Sequence, residues 1–464
     1  MNRPSGDSPL FLIFIFLLPI LMLSSFSDPA WPMAKRPPAE AGTPGEFSAA
    51  PAEDHTSQKP EVPKLLTLED CFEQARKRSE TLAIKEEAVK ETTAQFLKAT
   101  SEALGDVDFE MTRQLQQETV ASDPSSVGRA LADPDRLESK FTISQPIFQG
   151  FKSLGALAGA GNLRKQRKAE WLREKELLFL EVAGVFYRIL RLHKEHETLE
   201  RTHELFRERI RELEAREAIG RSRSSEVLTA QARMKLIDSD RARLQGDLNR
   251  AKHIFEFLVG VPAEADQLQE EEIKEPGREE LTRLLLQVNE RSDVKAAERA
   301  LKVARQNVTV AQSELWPEVT LEHNQWQRRE GSQPDIEWDT LFKVTVPLFR
   351  GGETAGKVKE AWSQWKKARL NYRLVKRKAV LDVKEAFELW ASSLRVARLL
   401  EEARTASEEN YKVQKEEYSR NLVSNLDVLE ALEGFHSTAR EALQAHYEMK
   451  QNYRALEVAA GSVP

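Results

Sequence analysis

Gln145-Pro146-Ile147-Phe148-Gln149-Gly150 returns 201 residues later (146 to 347) as Val346-Pro347-Leu348-Phe349-Arg350-Gly351. The same offset aligns residues 141–260 with 342–461 without a gap. It carries Gly155 onto Gly356, Phe186 onto Phe387, Val227-Leu228 onto Val428-Leu429 and Gly260 onto Gly461. Upstream, at a slightly different offset, Arg78-Ser79-Glu80 matches Arg291-Ser292-Asp293, and Val107-Asp108-Phe109-Glu110 matches Val319-Thr320-Leu321-Glu322. A duplication this large implies a symmetric object in which each half solves the same packing problem. Only two copies are present, which argues against a short-period solenoid.

Downstream of each repeated phrase the chain is free of proline, from Pro146 to Pro262 and from Pro347 to Pro464. Stretches of that length leave room for very long helices. In the first, Leu178, Val182, Val185, Ile189, Leu192, His196, Leu199, His203, Phe206, Ile210 and Leu213 step by four and three, a heptad seam. A second seam runs through Val227, Ala230, Met234, Ile237, Arg241, Leu244, Leu248, Ala251, Phe255 and Leu258. Between them Gly220 offers a left-handed turn and the following serines an N-cap, so the two seams predict an antiparallel hairpin. The second repeat bends at 419–425, with a blurrier seam on its long arm. A helix over 151–219 would span ~100 Å and its return over 224–259 only ~54 Å. The uncovered half of each long arm needs another helix, and 79–104 and 292–316 have suitable lengths.

Composition agrees with a helical, elongated object. Charged residues make up 31% and aromatics 7% of 464 residues, as in long helices or coiled coils. A net charge of −6 is too mild to imply a nucleic-acid partner, and the single Cys71 excludes a disulfide framework. Leu10 to Leu23 are nearly all apolar behind Arg3, which reads as a signal peptide over 1–27, with an uncleaved membrane anchor as the alternative. No cysteine lies near that region for a lipid anchor. Eleven of the 20 prolines precede Lys64, marking 28–63 as a disordered linker of an exported protein.

Just before each long arm the texture changes. Residues 140–145 and 341–348 alternate apolar with polar, and 106–115 and 318–327 are weaker partners, giving two strand–loop–strand units. Four short strands cannot close a barrel alone, yet alternating strands of about ten residues are what a transmembrane barrel wall looks like. Trp316, Trp326 and Trp338 suit membrane interfaces. The leading strands are unusually polar, with Arg113, Gln114, Gln325 and Arg328. The reading is a mainly α chain with a small β part. The first repeat covers 64–262 (strand pair 106–148, hairpin 151–259), an acidic linker 263–278, and the second repeat 279–461 (strand pair 318–349, hairpin 352–460).

Over residues 66–461 the chain resembles the TolC-type outer-membrane efflux proteins. The resemblance rests on the helix start Leu66-Thr67-Leu68-Glu69-Asp70-Cys71, the two strand-to-helix phrases, the two tips, and the closings Phe257-Leu258-Val259-Gly260 and Val458-Ala459-Ala460-Gly461. It implies a homotrimer whose subunits each give four strands to one shared β-barrel in outer-membrane lipid and their helices to a periplasmic α-barrel. The implied function is a passive exit duct that docks on a periplasmic adaptor and an inner-membrane transporter. It would carry small molecules or secreted polypeptide, without enzymatic activity, cofactor or metal.

The resemblance also places the sites. Asp427 and Glu430 lie one turn apart behind the second tip, where the family's acidic residues ring the closed periplasmic entrance. Three copies would crowd six carboxylates, raising some pKa values and favouring cations; a first helical turn also favours acids by itself. In the first repeat Glu226 aligns with Asp427, but Thr229 stands in place of Glu430. Gly220, Arg221 and Ser224 in the first tip, and Asn421, Leu422 and Ser424 in the second, match the adaptor-docking knobs, although turn chemistry alone also selects such residues. The chain departs from strict repetition where Gly105 faces Pro317 and Gly220 faces Asn421.

Two other readings compete. His193, His196 and His203 invite a metal site, but no carboxylate–histidine motif accompanies them, and two of them sit on the seam as polar register positions. A soluble periplasmic coiled-coil scaffold or adaptor would share the signal peptide and hairpins but would need no lipid-facing strands. The duplicated strand pairs favour the duct.

Overall fold

A computed structural model describes residues 65–115, 135–262, 264–273, 280–330 and 335–462. The expected signal peptide over 1–27, the expected linker over 28–63, the first strand–strand loop and parts of the acidic segment lie outside the described residues. The elements are α1 (Leu68–Arg78), α2 (Glu80–Leu104), β1 (Asp106–Leu115), β2 (Asp135–Gln149), α3 (Lys152–Ala218) and α4 (Ser224–Val259). The second half continues with α5 (Glu280–Gln287), α6 (Ser292–Ser313), β3 (Glu318–Arg328), β4 (Trp338–Thr345), α7 (Glu353–Ser419) and α8 (Asn425–Ala460).

The two hairpins match in length. Each long arm has 67 residues and each return arm 36. The first seam is buried as read at Leu178, Val182, Ile189, Leu192, Leu199, Phe206, Ile210 and Leu213, while Val185, His196 and His203 are half-buried. Phe179, Ala183, Phe186, Tyr187 and Leu190 are buried as well. At that level α1, α8 and the return arm pack around α3, so a two-helix seam undercounts its core. On α4 the core takes Val259 in place of Leu258. Truncating a fully buried aromatic such as Phe186 costs about 3–5 kcal/mol.

The covering helices are where the arithmetic of arm lengths asked for them. α2 lies against the upper half of α3, and α6 lies between α3 and α7, touching both. Its partner on the other repeat is a correction to simple duplication: α6 bridges the two halves, whereas α7 has a flank without a helix. On that flank Leu370, Leu374, Leu381, Leu389 and Leu399 are 52–64% exposed.

Midway down, one buried polar cluster fastens the elements of the second repeat and another fastens the inter-repeat segment to it. Arg291 is 1% exposed; it donates to the carbonyls of Ala379 (3.2 Å) and Ala459 (2.9 Å) and pairs with Asp293 and Asp382. The segment after the first repeat bridges Leu268 to Leu66 and lays Glu270 on α8. There Glu270 accepts from His446 (3.2 Å), Tyr447 (3.2 Å) and Lys450 (2.5 Å).

The strands form one antiparallel sheet in the order β1-β2-β3-β4, with both outer edges open. Pro146 sits at a register shift between β2 and β3, where a residue without an N–H is tolerated. Pairing sorts the polar strands into two faces. Val107, Phe109, Met111, Phe141, Ile143, Leu321, Phe342, Val344 and Trp338 share one face. The opposite face is polar and is crossed by a ladder of bonds. Lys140 pairs with Glu110 (3.1 Å) and reaches Asn324 (3.2 Å); Asn324 accepts from Thr142 (2.8 Å) and donates to Asp339 (2.8 Å). The tryptophans separate on this map. Trp338 lies on the apolar face, 60% exposed, but Trp326 lies on the polar face beneath Arg329 (4.4 Å) and bonds Asp339. Trp316 sits below the sheet, edge-on to Phe151 at 6.1 Å.

Candidate functional site: the hairpin tips

Both tips close by the same device. The long arm ends, the amide of Arg221 returns to the carbonyl of Arg216 (2.8 Å), and in the second tip Leu422 returns to Glu417 (3.0 Å). Each turn needs one residue at positive φ, supplied by Gly220 at 73° and Asn421 at 58°. Glycine has no Cβ to clash there, and asparagine is among the few side chains that visit this region readily. The substitution of Asn421 for glycine therefore preserves the turn.

The return helices start differently. Ser424 is the N-cap of α8; its hydroxyl accepts from the Asp427 amide (3.4 Å), and Asp427 in turn accepts from the Ser424 amide (2.7 Å) and hydroxyl (2.6 Å). This capping box satisfies two otherwise orphaned donors. In the first tip the N-cap is Arg223, without a side-chain cap, which corrects the expectation of a serine cap there. Ser224 instead donates to Glu217, and Ser222 donates to Glu226. The reason is a substitution: Arg223 occupies the place of Ser424 (223 + 201 = 424).

Asp427 and Glu430 are both exposed on the first turns of α8, while Val428 and Leu429 between them are buried against the first hairpin. Within one chain Asp427 is held below the usual carboxylate range, first by the Ser424 hydroxyl and then by the Ser424 amide. The proposed docking residues Gly220, Arg221, Ser224, Asn421, Leu422 and Ser424 are all exposed. Beside them, aliphatic side chains stand in solvent: Ile219 and Leu228 at the first tip, Leu422 and Leu426 at the second, each more than half exposed.

The second tip is held by residues that periodicity does not reveal. Arg209 of α3, 4% exposed, donates to the Asn425 side-chain carbonyl from Nε (3.0 Å) and Nη2 (2.8 Å). Its guanidinium lies over the Tyr418 ring at 3.7 Å, and Arg216, a heptad on, lies over the same ring at 4.4 Å. Further up, Arg233 pairs with Glu433 (2.6 Å), Arg440 with Glu195 (2.7 Å), and His436 meets Thr202 at 3.2 Å. Burial pushes the His436 imidazole down, so it stays neutral. Polar bonds thus fasten the second hairpin to the first. Between α3, α7 and α8 a cavity of about 310 Å³ remains, lined in part by Thr202, Ala397, Arg404 and Phe435.

The histidines weighed for a metal pair with acids. His193 lies 3.1 Å from Asp266, His203 lies 3.3 Å from Asp238, and His196 lies 3.8 Å from Glu200. Among the described residues no group of three or more His, Cys, Asp or Glu is arranged to hold a metal ion. No described helix is long and apolar enough to cross a membrane.

Comparison with known proteins adds to this geometry. Nodulation protein T of Rhizobium leguminosarum bv. viciae is 23% identical over 248 residues, 52% of either chain. The cation efflux system protein CusC of Escherichia coli is 24% identical over 269 residues, 51% of this chain and 54% of that protein. The matched stretch thus spans about half the length of these curated relatives. The crystal structure of the outer membrane protein VceC from Vibrio cholerae superimposes with a TM-score of 0.73 at 19% identity, covering 85% of this chain and 96% of that one. Residues 285–462 match the model of the outer membrane efflux protein family. With the strand-to-helix phrases, the duplicated hairpins and the sheet they carry, the chain has the fold of these outer-membrane channels, and its second half resembles the outer membrane efflux proteins.

Proposed function

We propose that the chain is the outer-membrane exit duct of a tripartite efflux or type I secretion system. It passively conducts small molecules or polypeptide handed over by an inner-membrane transporter and a periplasmic adaptor. The observation that carries this reading is the sheet: one apolar face, one polar face, two open edges, and a direct run from each strand pair into a 67-residue helix. An open edge and an exposed apolar face are both costly in water. Closing the sheet into a barrel in lipid resolves both, with the apolar face outward and the polar ladder lining the bore. A long arm of ~100 Å then reaches across the periplasm, after export directed by residues 1–27.

Closure requires other copies, and the resemblance to the family implies a homotrimer of twelve strands (3 × 4). A Cβ on Gly150 would meet the Ser313 carbonyl at 2.6 Å, whereas one on its equivalent Gly351 meets nothing. Gly155 likewise lies against Val310 of α6, but Gly356 faces open space. Leu348 and Phe349 stand 91% and 88% exposed. Each vacancy in the second repeat is the place that α2 and β1 of the next subunit would fill.

At the lower end, Asp427 and Glu430, with Glu226 in the first repeat, form the acidic ring of the closed entrance. Arg209 and Asn425 hold that entrance shut, and the exposed tips receive the adaptor. Light scattering on protein extracted in mild detergent tests the architecture. A detergent-dependent trimer is expected; a monomer or dimer released without detergent would instead favour a soluble periplasmic scaffold.

A further inference from the structure

We propose that the periplasmic side of the helical barrel, between its midpoint and the membrane, is a docking surface for the carboxylate-bearing glycan of the cell wall. The inference rests on the duct reading, which decides which side is outer. α1 packs on α3 through Phe72 and Phe179 (5.2 Å), and α5 packs on α7, where Val380 (179 + 201 = 380) borders the same apolar cluster as Leu281 and Leu285. Both short helices therefore lie on one side of the layer, and in a duct they cannot occupy the bore.

On that side the long arms are cationic. Lys366, Arg369, Arg373, Lys376 and Arg377 of α7 are exposed, and none forms an ion pair among the described residues. The spacing keeps them on one broad face of the helix. Arg373, Lys376 and Arg377 border an open depression of about 700 Å³ that also contains Tyr372. The first repeat has its counterpart, a depression of about 660 Å³ bordered by Lys77 and Lys168 and containing Trp171. The two depressions share the position of the aromatic ring (171 + 201 = 372), and Lys168 corresponds to Arg369, which stands beside the second depression rather than on its border. The indole Nε1 of Trp171 is buried and has no acceptor within the chain, a donor that a ligand could satisfy.

An aromatic ring flanked by unpaired cations fits a ligand with an apolar sugar face and free carboxylates. Distance separates the wall from the lipid. Residues 366–377 lie 13–24 positions into α7, about 20–36 Å from its start. Screening confines charge attraction to about 8 Å, so headgroup phosphates are out of reach. Three subunits with two depressions each would make a collar of six.

The test is co-sedimentation of the full-length protein in detergent with purified peptidoglycan sacculi. Wild type is expected to sediment at low salt and to lose about tenfold in retention as screening rises. K168Q/K366Q/R369Q/R373Q/K376Q/R377Q is expected to fall at least about fivefold, while the charge-conserving R369K/R373K/R377K remains bound. Equal retention of the glutamine variant, or of wild type on sacculi whose carboxylates have been amidated, would overturn the proposal. A conducting trimer that ignores sacculi removes this inference alone; a chain that stays monomeric in detergent removes the duct reading with it.

Discussion

Arg209 and Asn425 join the two hairpins 216 residues apart in sequence, through two hydrogen bonds from one guanidinium to one side-chain carbonyl. The bond lies at the foot of the second hairpin, whose long arm is otherwise thinly anchored there. Between Ser393 and Ser419, only Ser393, Tyr411 and Tyr418 of α7 are buried. Loss of this clamp should free the tip. Arg209→Ala is expected to cost about 2–3 kcal/mol and to raise single-channel conductance in a lipid bilayer. A conductance equal to wild type would assign the clamp to stability alone.

Asp427 and Glu430 make a separate prediction. The double change Asp427→Asn with Glu430→Gln should raise conductance or weaken block by multivalent cations. Unchanged currents would remove both acids from the entrance. Because the folded pKa of Asp427 is lowered, its capping contribution is present above about pH 3.9 and disappears as pH falls through the depressed value. Helix content followed through an acid titration should therefore show the second tip fraying only in that acidic window.

Glu270 should govern acid resistance of the midpoint. Its carboxylate is held down to about 2, chiefly by the His446 hydrogen bond and then by Lys450, against the opposing effect of burial. The stabilisation is complete above about 4.5 and is lost as pH drops towards 2. Glu270→Gln is expected to cost about 1 kcal/mol, since the group is partly solvated, and to flatten the melting temperature across that window. A variant whose pH profile tracks wild type would rule out Glu270 as the responsible group.

The subunit interface can be tested by cross-linking. Counted from the shared Arg-Ser start (310 − 291 = 97 − 78), Leu97 stands where α6 has Val310, and it is 70% exposed. Val310 packs on Gly155, so Leu97 of one subunit should pack on Gly356 of the next. Leu97→Cys with Gly356→Cys should yield a covalent trimer on oxidation; the native Cys71 is buried and does not compete. A product limited to monomers would place the neighbour elsewhere.

What the sequence disclosed here followed from period and punctuation. The bends at both tips, the return arms and the covering helices were legible because proline, glycine and heptads act locally. The pairing of Arg209 with Asn425 was not, since a single polar contact across two hairpins leaves no period; an arginine beside Phe206 and Ile210 was the available hint. Strand polarity misled for a related reason. Arg113, Gln114 and Gln325 look uniformly wet along the chain; register separates Phe109 and Phe141 from Glu110 and Lys140, while Arg113 and Gln325 remain on the otherwise apolar face, Gln325 opposite Phe141. The serine N-cap expected in the first tip is absent because the cap position itself had become Arg223.

The equal arms, 67 and 36 residues in both repeats, bear on how such a chain can diverge. A substitution along an arm alters one contact. A single inserted residue turns everything below it by about 100° and lowers it by about 1.5 Å, swinging one tip out of line with its twin. Unless the other arm gained the same residue, Arg209 would no longer face Asn425. Indels should accordingly be confined to the strand loops and the inter-repeat segment, while side chains drift to the 19% identity at which VceC still superimposes.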